Sequence, residues 1–152
     1  MNYQKGRVFD DLAAKSGAPQ TRAEVEAMLA RTPDTEIAIF VKRWLILDDE
    51  LAQIHAQAAH VEQMLGDKLL GIMLGERVSD ITETMRRRAL DLARLPAACA
   101  EDVGAKCYVR ARMRELDAQD ESATHYLCKS VQRDVKALGI KVERRRREAR
   151  SH

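Results

Sequence analysis

The chain has 152 residues, of which 45% are hydrophobic and 33% charged, and its 26 basic and 24 acidic side chains leave a net charge of +2. This length suits one folded domain with a continuous core, and the scarcity of glycine, proline and aromatic residues disfavours an all-β protein. The longest apolar runs are far shorter than a bilayer crossing needs, so a membrane-spanning protein is excluded.

The cysteines and the first residues bear on the cellular compartment. Cys99, Cys107 and Cys128 are an odd number of thiols, and residues 1–7 are polar and basic, without the apolar core of a secretory leader. Such a combination is typical of a reducing compartment, so we expect a cytoplasmic protein with free cysteines.

Two short helices are predicted at the beginning of the chain. Residues 7–16 have apolar positions at helical spacing and are followed by Gly17 and Pro19, which predict a turn. Thr21 and Glu24 form a capping box, in which each side chain satisfies a backbone amide at the start of a helix. A second helix is therefore expected from Thr21.

A long helix is expected over residues 33–65. Thr32 is the predicted N-cap, because it precedes Pro33, and proline is favoured at the first helical position. Along this helix apolar residues recur at alternating spacings of three and four, the a/d rhythm of a coiled-coil seam. The predicted packing residues of this seam are Ile37, Phe40, Trp44, Leu47, Leu51, Ile54, Val61 and Leu65.

The seam predicts contact with another helix. Because the long helix exceeds either of the helices predicted over residues 76–95 and 122–138, we expect the seam to reach a second copy of the chain or a partner helix. If those two helices cover the whole seam, a monomer is expected instead.

Residues 66–138 predict the rest of the bundle. Glycines at 66, 71 and 75 predict a bend or loop, the last two at a spacing that would admit a close helix, and residues 76–95 predict a helix. Residues 109–114 alternate apolar and basic side chains as a strand would, but residues 105–116 contain strong helix formers and no partner strand is evident, so a helix is favoured. A last helix over residues 122–138 ends at Gly139, a typical C-terminal cap.

These segments together predict an all-α fold, an antiparallel helical bundle of residues 1–140 built on one long central helix and its coiled-coil-like seam. Residues 141–152 are predicted to be a charged tail. Residues 141–150 carry six basic and two acidic side chains, which is +4 and leaves −2 for residues 1–140.

The basic tail is the sharpest chemical feature of the sequence. Guanidinium groups bind phosphates through forked, charge-assisted hydrogen bonds, and a basic tail is able to follow a DNA or RNA backbone. The predicted nucleic-acid-binding residues are Lys141, Arg144, Arg145, Arg146, Arg147 and Arg150. An acidic protein surface is the alternative target of the same charges.

Catalytic and metal-binding motifs are missing from the sequence. His125 and Cys128 are three residues apart, but no paired Cys-x-x-Cys spacing, phosphate loop or nucleophile elbow accompanies them. We therefore expect no metal, no other cofactor and no enzyme. A catalytic role would otherwise fall on Asp48, His55 and Glu62, which lie seven residues apart beside the seam.

Two functions stay open on the sequence alone. The leading hypothesis is a small helical accessory or regulatory protein that self-associates or binds a partner helix through the seam and contacts nucleic acid through its C-terminus. The alternative is a protein-interaction module, such as an inhibitor, a chaperone or an assembly component, without a nucleic-acid role.

Overall fold

The computed structural model describes residues 18–64, 66, 68–116 and 120–139. Within these residues the chain forms helices and no strands, which confirms the all-α prediction for that part. The helices are α1 (Arg22–Arg31), α2 (Glu36–Met64), α3 (Lys68–Arg94), α4 (Ala100–Leu116) and α5 (Ser122–Leu138). The helix predicted over residues 7–16 and the tail predicted from residue 141 lie outside the described residues.

The start of α1 is the predicted one. Thr21 Oγ1 accepts a hydrogen bond from the amide of Glu24 at 3.2 Å, as a capping threonine does. The carboxylate of Glu24 accepts from the amide of Gln20 at 2.8 Å, one residue earlier than the reciprocal bond of a capping box. From this start α1 buries Val25 and Leu29 in the core.

The start of α2 differs from the prediction at its cap. Thr32 is not the N-cap, because its hydroxyl donates back to the carbonyl of Met28 at 2.6 Å and its amide closes α1. Thr35 caps α2 instead, since its Oγ1 accepts from the amide of Ala38 at 3.0 Å. Pro33 therefore lies in the connection between the two helices rather than in the first turn of α2.

α2 and α3 form a helical hairpin. The chain turns at Gly66, whose φ of +59° is a backbone conformation that favours glycine. The indole nitrogen of Trp44 donates to the carbonyl of Met85 at 3.1 Å, and Arg77 lies 3.7 Å from Glu50. The contact later in α2, at Glu50, is thus made with the residue earlier in α3, Arg77.

α3 begins at Lys68, earlier than the predicted start at Glu76. Its first turns bury Leu74 against the end of α2, and this burial offsets the cost of two glycines in a helix, about 1 kcal/mol each. The spacing of Gly71 and Gly75 would admit a close helix, but within the described ranges none contacts these positions, since a Cβ at either would meet no neighbouring element within 4 Å.

The predicted seam residues of α2 are mostly covered by other parts of the same chain. Those in the main core are Ile37, Trp44 and Leu51, with Phe40 and Leu47 half-buried beside them. Those in a smaller cluster with Leu74 of α3 are Ile54 and Val61. Leu65 lies outside the described residues, and use of the seam by a second chain stays a prediction.

α4 is the helix with neighbours on every side, since it packs against α1, α2, α3 and α5. The helix predicted over residues 105–116 is confirmed, and it extends back to Ala100. Every residue from Asp102 to Arg110 is buried. A helix enclosed in this way needs no single apolar stripe.

Lys106, in the middle of α4, is fully buried and has an acceptor for each of its protons. Its Nζ donates to Asp134 Oδ2 at 2.5 Å and to Ser130 Oγ at 2.8 Å, both on α5, and to the carbonyl of Leu95. Burial lowers the pKa of Lys106, whereas the carboxylate of Asp134 opposes that shift. The ammonium group therefore joins α4 to α5 and to the end of α3.

Two buried carboxylates attach α4 to α2. Asp102 accepts a hydrogen bond from Thr35 Oγ1 at 2.6 Å, which connects the first turn of α4 to the cap of α2. Asp48 of α2 accepts from Arg112 of α4 at 3.1 Å and lies 3.6 Å from Arg22 of α1. Polar contacts thus hold the enclosed helix in place where apolar packing alone would leave its rotation undetermined.

Candidate nucleic-acid interface

α5 has one buried face and one exposed face. The helix has the predicted bounds. Of the residues expected inward, Ala123, Leu127 and Val131 are buried against α3 and α4, whereas Val135 is half-buried and Leu138 is exposed. Its one carboxylate, Asp134, is also on the buried face, where it meets Lys106. The opposite face is left to solvent.

The exposed face carries basic side chains at helical spacing. Lys129, Arg133 and Lys136 follow one another at spacings of four and three, which places them on one side of the helix. His125 and Tyr126 continue this side towards the start of α5, with their rings 5.6 Å apart in an edge-on arrangement. We call these five residues the basic face of α5.

The basic face is unusual within this protein because its exposed charges have a single sign. Each of α1, α2, α3 and α4 exposes both acidic and basic side chains, as solvated helices commonly do. α5 exposes only basic ones, because its carboxylate is turned inward to Lys106. Positive potential on this side of the molecule is therefore not neutralised by acids of the same helix.

Arg133 is partly fixed by the body of the protein. One terminal nitrogen of its guanidinium donates to the carbonyl of Ala93 on α3 and to Ser130 Oγ, both at 3.3 Å, and lies 3.7 Å from Asp134. The side chain nevertheless remains 55% exposed. A guanidinium held in this way presents its remaining surface to solvent in a defined orientation.

No protein-family model, curated protein or solved structure matches this chain. The chemistry of the basic face has to be judged from its own residues. Ammonium and guanidinium groups spaced along one side of a helix suit a row of phosphates, and an exposed tyrosine beside them suits a base or sugar.

The predicted nucleic-acid-binding residues follow directly after this helix. Gly139 ends α5 with a φ of +63°, and its amide donates to the carbonyls of Lys136 and Val135. The predicted residues are Lys141, Arg144, Arg145, Arg146, Arg147 and Arg150, and they lie outside the described residues. They continue the basic sequence of α5, since Lys141 comes five positions after Lys136.

Sequence reasoning missed the basic face. The spacing of Lys129, Arg133 and Lys136 is visible in the sequence, but Asp134 stands among them and suggests an ordinary mixed surface. Its spacing of three from Val131 and seven from Leu127 nevertheless places Asp134 on the apolar side, and the contact with Lys106 on another helix supplies the partner that a buried carboxylate needs. A buried lysine was the missing signal, and lysines are almost never fully buried.

The residues considered for catalysis do not form a site. Asp48 is buried and committed to ion pairs with Arg112 and Arg22. His55 and Glu62 are both exposed on α2. Because successive members of the set are seven residues apart on one helix, they lie about 10 Å from each other.

A cavity of about 460 Å³ lies between the end of α1, the start of α2 and the start of α4. Its lining includes Met28, Thr32, Thr35 and Cys99. Burial raises the pKa of the Cys99 thiol, which keeps it protonated at neutral pH and weakens it as a nucleophile. The thiol in this cavity is therefore not an activated nucleophile.

Metal ligands and membrane spans are also absent from the part of the chain that the structure describes. Nowhere in residues 18–64, 66, 68–116 and 120–139 do three His, Cys, Asp or Glu side chains come together as a metal would need. Among the helices of these ranges, none combines the length and the apolar character required to cross a bilayer.

Proposed function

We propose that the protein is a small helical accessory or regulatory protein that binds the phosphate backbone of nucleic acid. The binding surface is the basic face of α5 together with the arginine-rich segment that follows it. The observation that carries this proposal is the single sign of the charges exposed on α5, whose carboxylate Asp134 is withdrawn into the core. The sequence of the tail supports it independently.

The dimensions of the basic face suit a nucleic-acid strand. Lys129 and Lys136 are two helical turns apart, or about 10 Å, a distance over which one strand of DNA carries about three phosphates. Contacts of this kind release counterions and add affinity without reading base sequence. We therefore propose backbone recognition, with little discrimination among sequences.

A salt-titrated binding assay tests the proposal. The full chain, a chain ending at Ile140 and a double variant, Lys129→Gln with Lys136→Gln, are compared on duplex and single-stranded DNA. Two lost phosphate contacts reduce the slope of log K against log salt by about 1.8 on duplex DNA. We expect a reduction of that order in the double variant and a larger one in the shortened chain.

The matched control is a second double variant with the same change in net charge. Lys42→Gln with Arg88→Gln removes two exposed basic side chains from α2 and α3. These positions lie on mixed-charge faces, so binding should be almost unchanged. Equal losses of binding in the two double variants would show that only net charge matters, which overturns the role of α5. Absence of DNA binding by the full chain would overturn the proposed function.

The alternative is a protein-interaction module in which the same basic face meets an acidic protein surface. It is favoured by the exposed apolar side chains at the tip of the α2–α3 hairpin, which include Leu69 and Ile72. This alternative predicts a defined protein complex in sedimentation and no DNA binding at moderate salt.

We also make proposals about the arrangement of the helices and the cellular compartment of the protein. We propose an antiparallel bundle in which the seam of α2 is a packing surface, which the contacts of Trp44 with Met85 and of Glu50 with Arg77 support. We also propose a cytoplasmic protein without catalytic activity. Three free thiols support a reducing compartment.

A further inference from the structure

The tip of the α2–α3 hairpin exposes large apolar side chains. Met64 at the end of α2, and Leu69, Ile72 and Met73 at the start of α3, are between 56% and 71% exposed. The three residues of α3 are three and four apart and therefore neighbours on one side of the helix. Contiguous apolar surface of this kind marks an interaction site.

The tip is exposed because the hairpin outgrows the rest of the bundle. α2 has 29 residues and α3 has 27, whereas α4 and α5 have 17 each. At 1.5 Å per residue the longer helices exceed the shorter ones by about 15 Å. Among the described residues, only α2 covers the start of α3, and it reaches the side that bears Leu70 and Leu74.

The start of α3 is apolar on both sides. Residues 69–75 contain only leucine, isoleucine, methionine and glycine, and an all-round apolar helix is normally buried all round. Further along the exposed side the sequence becomes polar, beginning with Glu76. The segment without a partner is therefore short and sharply bounded.

We propose that a second copy of this chain covers this surface, with the two α3 helices packed antiparallel and the two-fold axis at Ile72. In that register a residue meets the one equally far on the other side of position 72 in the second copy. Ile72 then faces Ile72 of the second copy, and Leu69 faces Gly75, where the space around the missing side chain is open.

Charge complementarity singles out a second copy over other apolar partners. Lys68 and Glu76 are both exposed and are placed symmetrically, four residues before and four residues after Ile72. In the proposed register each Lys68 meets Glu76 of the second copy, giving two ion pairs that flank the apolar centre. A two-fold interface requires such self-complementarity, and an unrelated partner does not.

Light scattering and sedimentation of the full chain over a range of concentrations test the proposal. We expect a monomer–dimer equilibrium. Ile72→Lys should raise the dissociation constant of the dimer at least about tenfold, because it places like charges together at the two-fold axis. Ile46→Lys is the matched control, because Ile46 is 65% exposed and Ile72 61% exposed, and Ile46 lies on α2 away from the tip.

A charge exchange tests the register. Lys68→Glu and Glu76→Lys should each weaken the dimer, because each places like charges opposite one another. The double variant with both changes restores opposite signs and should recover most of the dimer. An effect of net charge alone would instead move the two single variants in opposite directions, because Lys68→Glu lowers the net charge by about two and Glu76→Lys raises it by about two.

Three results would overturn the proposal. A full chain that stays monomeric at every concentration means that the tip is covered by its own chain or by another protein. Equal effects of Ile72→Lys and Ile46→Lys place any dimer interface elsewhere. A double charge variant no tighter than the single ones contradicts the antiparallel register about Ile72. None of these results depends on the outcome of the DNA-binding assay.

Discussion

The middle of α4 and the start of α3 reverse the usual relation between polarity and burial. The segment from Asp102 to Arg110 contains two acidic or basic residues at its ends and Lys106 at its centre, and all of it is buried. The segment over residues 69–75 contains no polar side chain, and much of it is exposed. The segment with charged residues is thus the buried one, and the wholly apolar segment is the more exposed one.

The number of neighbouring helices explains the reversal. α4 lies among four other helices and is shorter than the hairpin beside it, so no side of it reaches solvent over this stretch. Within the part of the chain that the structure describes, the start of α3 has only α2 beside it. Burial is therefore decided by position in the bundle, and polar residues in α4 are accommodated by partners rather than by exposure.

The largest effect is expected from loss of the buried ion pair in α4. Lys106→Ala removes the buried cation of Asp134 and leaves only the half-exposed Arg133 near its carboxylate, and the loss of one partner of a buried pair costs about 3–5 kcal/mol of unfolding free energy. Urea denaturation followed by circular dichroism measures it. Lys68→Ala, at the exposed tip, is the control and should change stability by less than about 0.5 kcal/mol.

A cost below about 1 kcal/mol for Lys106→Ala would mean that water or a side-chain movement replaces the ammonium. The burial of α4 would then not depend on its ion pair. The ion pair would then contribute little to the stability of the buried segment, although the positions of the helices would be unchanged.

A middle-sized effect comes from the thiol of Cys107, also within the buried part of α4. Burial raises its pKa from 9.0 to about 12. Because the unfolded chain loses this proton first, the stabilising contribution is complete below pH 9 and is lost as the pH rises towards 12. The expected slope is about −1.4 kcal/mol per pH unit above pH 9.

Cys107→Ala removes this contribution and provides the measurement. Unfolding free energies of the two proteins between pH 9 and 10.5 should diverge in slope, with the wild type falling more steeply by about 2 kcal/mol over that range. The raised pKa of Tyr108 and the lowered pKa of Lys106 act in both proteins and cancel in the difference. Parallel curves would contradict the burial of this thiol.

The smallest effect is expected at two glycines, one at the start of α3 and one in α4. Gly71→Ala, near the tip, meets open space and should stabilise the helix by about 1 kcal/mol. At Gly104 in α4 a Cβ would lie 3.1 Å from both Met28 Sδ and Pro19 Cδ, so Gly104→Ala should gain less or destabilise. Thermal unfolding in dilute solution measures both, and equal gains would contradict the tight packing of α4.

Local signals in the sequence were sufficient for several elements. The bounds of α5 were predicted from its apolar spacing and from Gly139, which caps it as expected. The length of α2 followed from three-and-four spacing between residues 37 and 61. Both helices have one apolar face, and periodicity detects a helix of that kind.

Elsewhere a choice between competing local signals depended on distant residues. Thr32 and Thr35 both suit an N-cap, and Thr35 prevails because its hydroxyl also reaches Asp102, far away in the sequence. α3 starts at Lys68 in spite of its glycines because α2 extends far enough to cover Leu74. Neither partner is adjacent in the chain, so no local rule points to it.

Local patterns in the sequence were enough to predict that this protein is helical, where α2 and α5 run, and that residues 141–150 are basic. Tertiary packing set which helix is enclosed, which apolar segment is left at the surface, and which partner the carboxylate on the buried face of α5 meets. The physical reason is that spacing along a helix specifies only which side chains share a face. What that face meets is set by helices distant in sequence, as the contact of Asp134 with Lys106 shows.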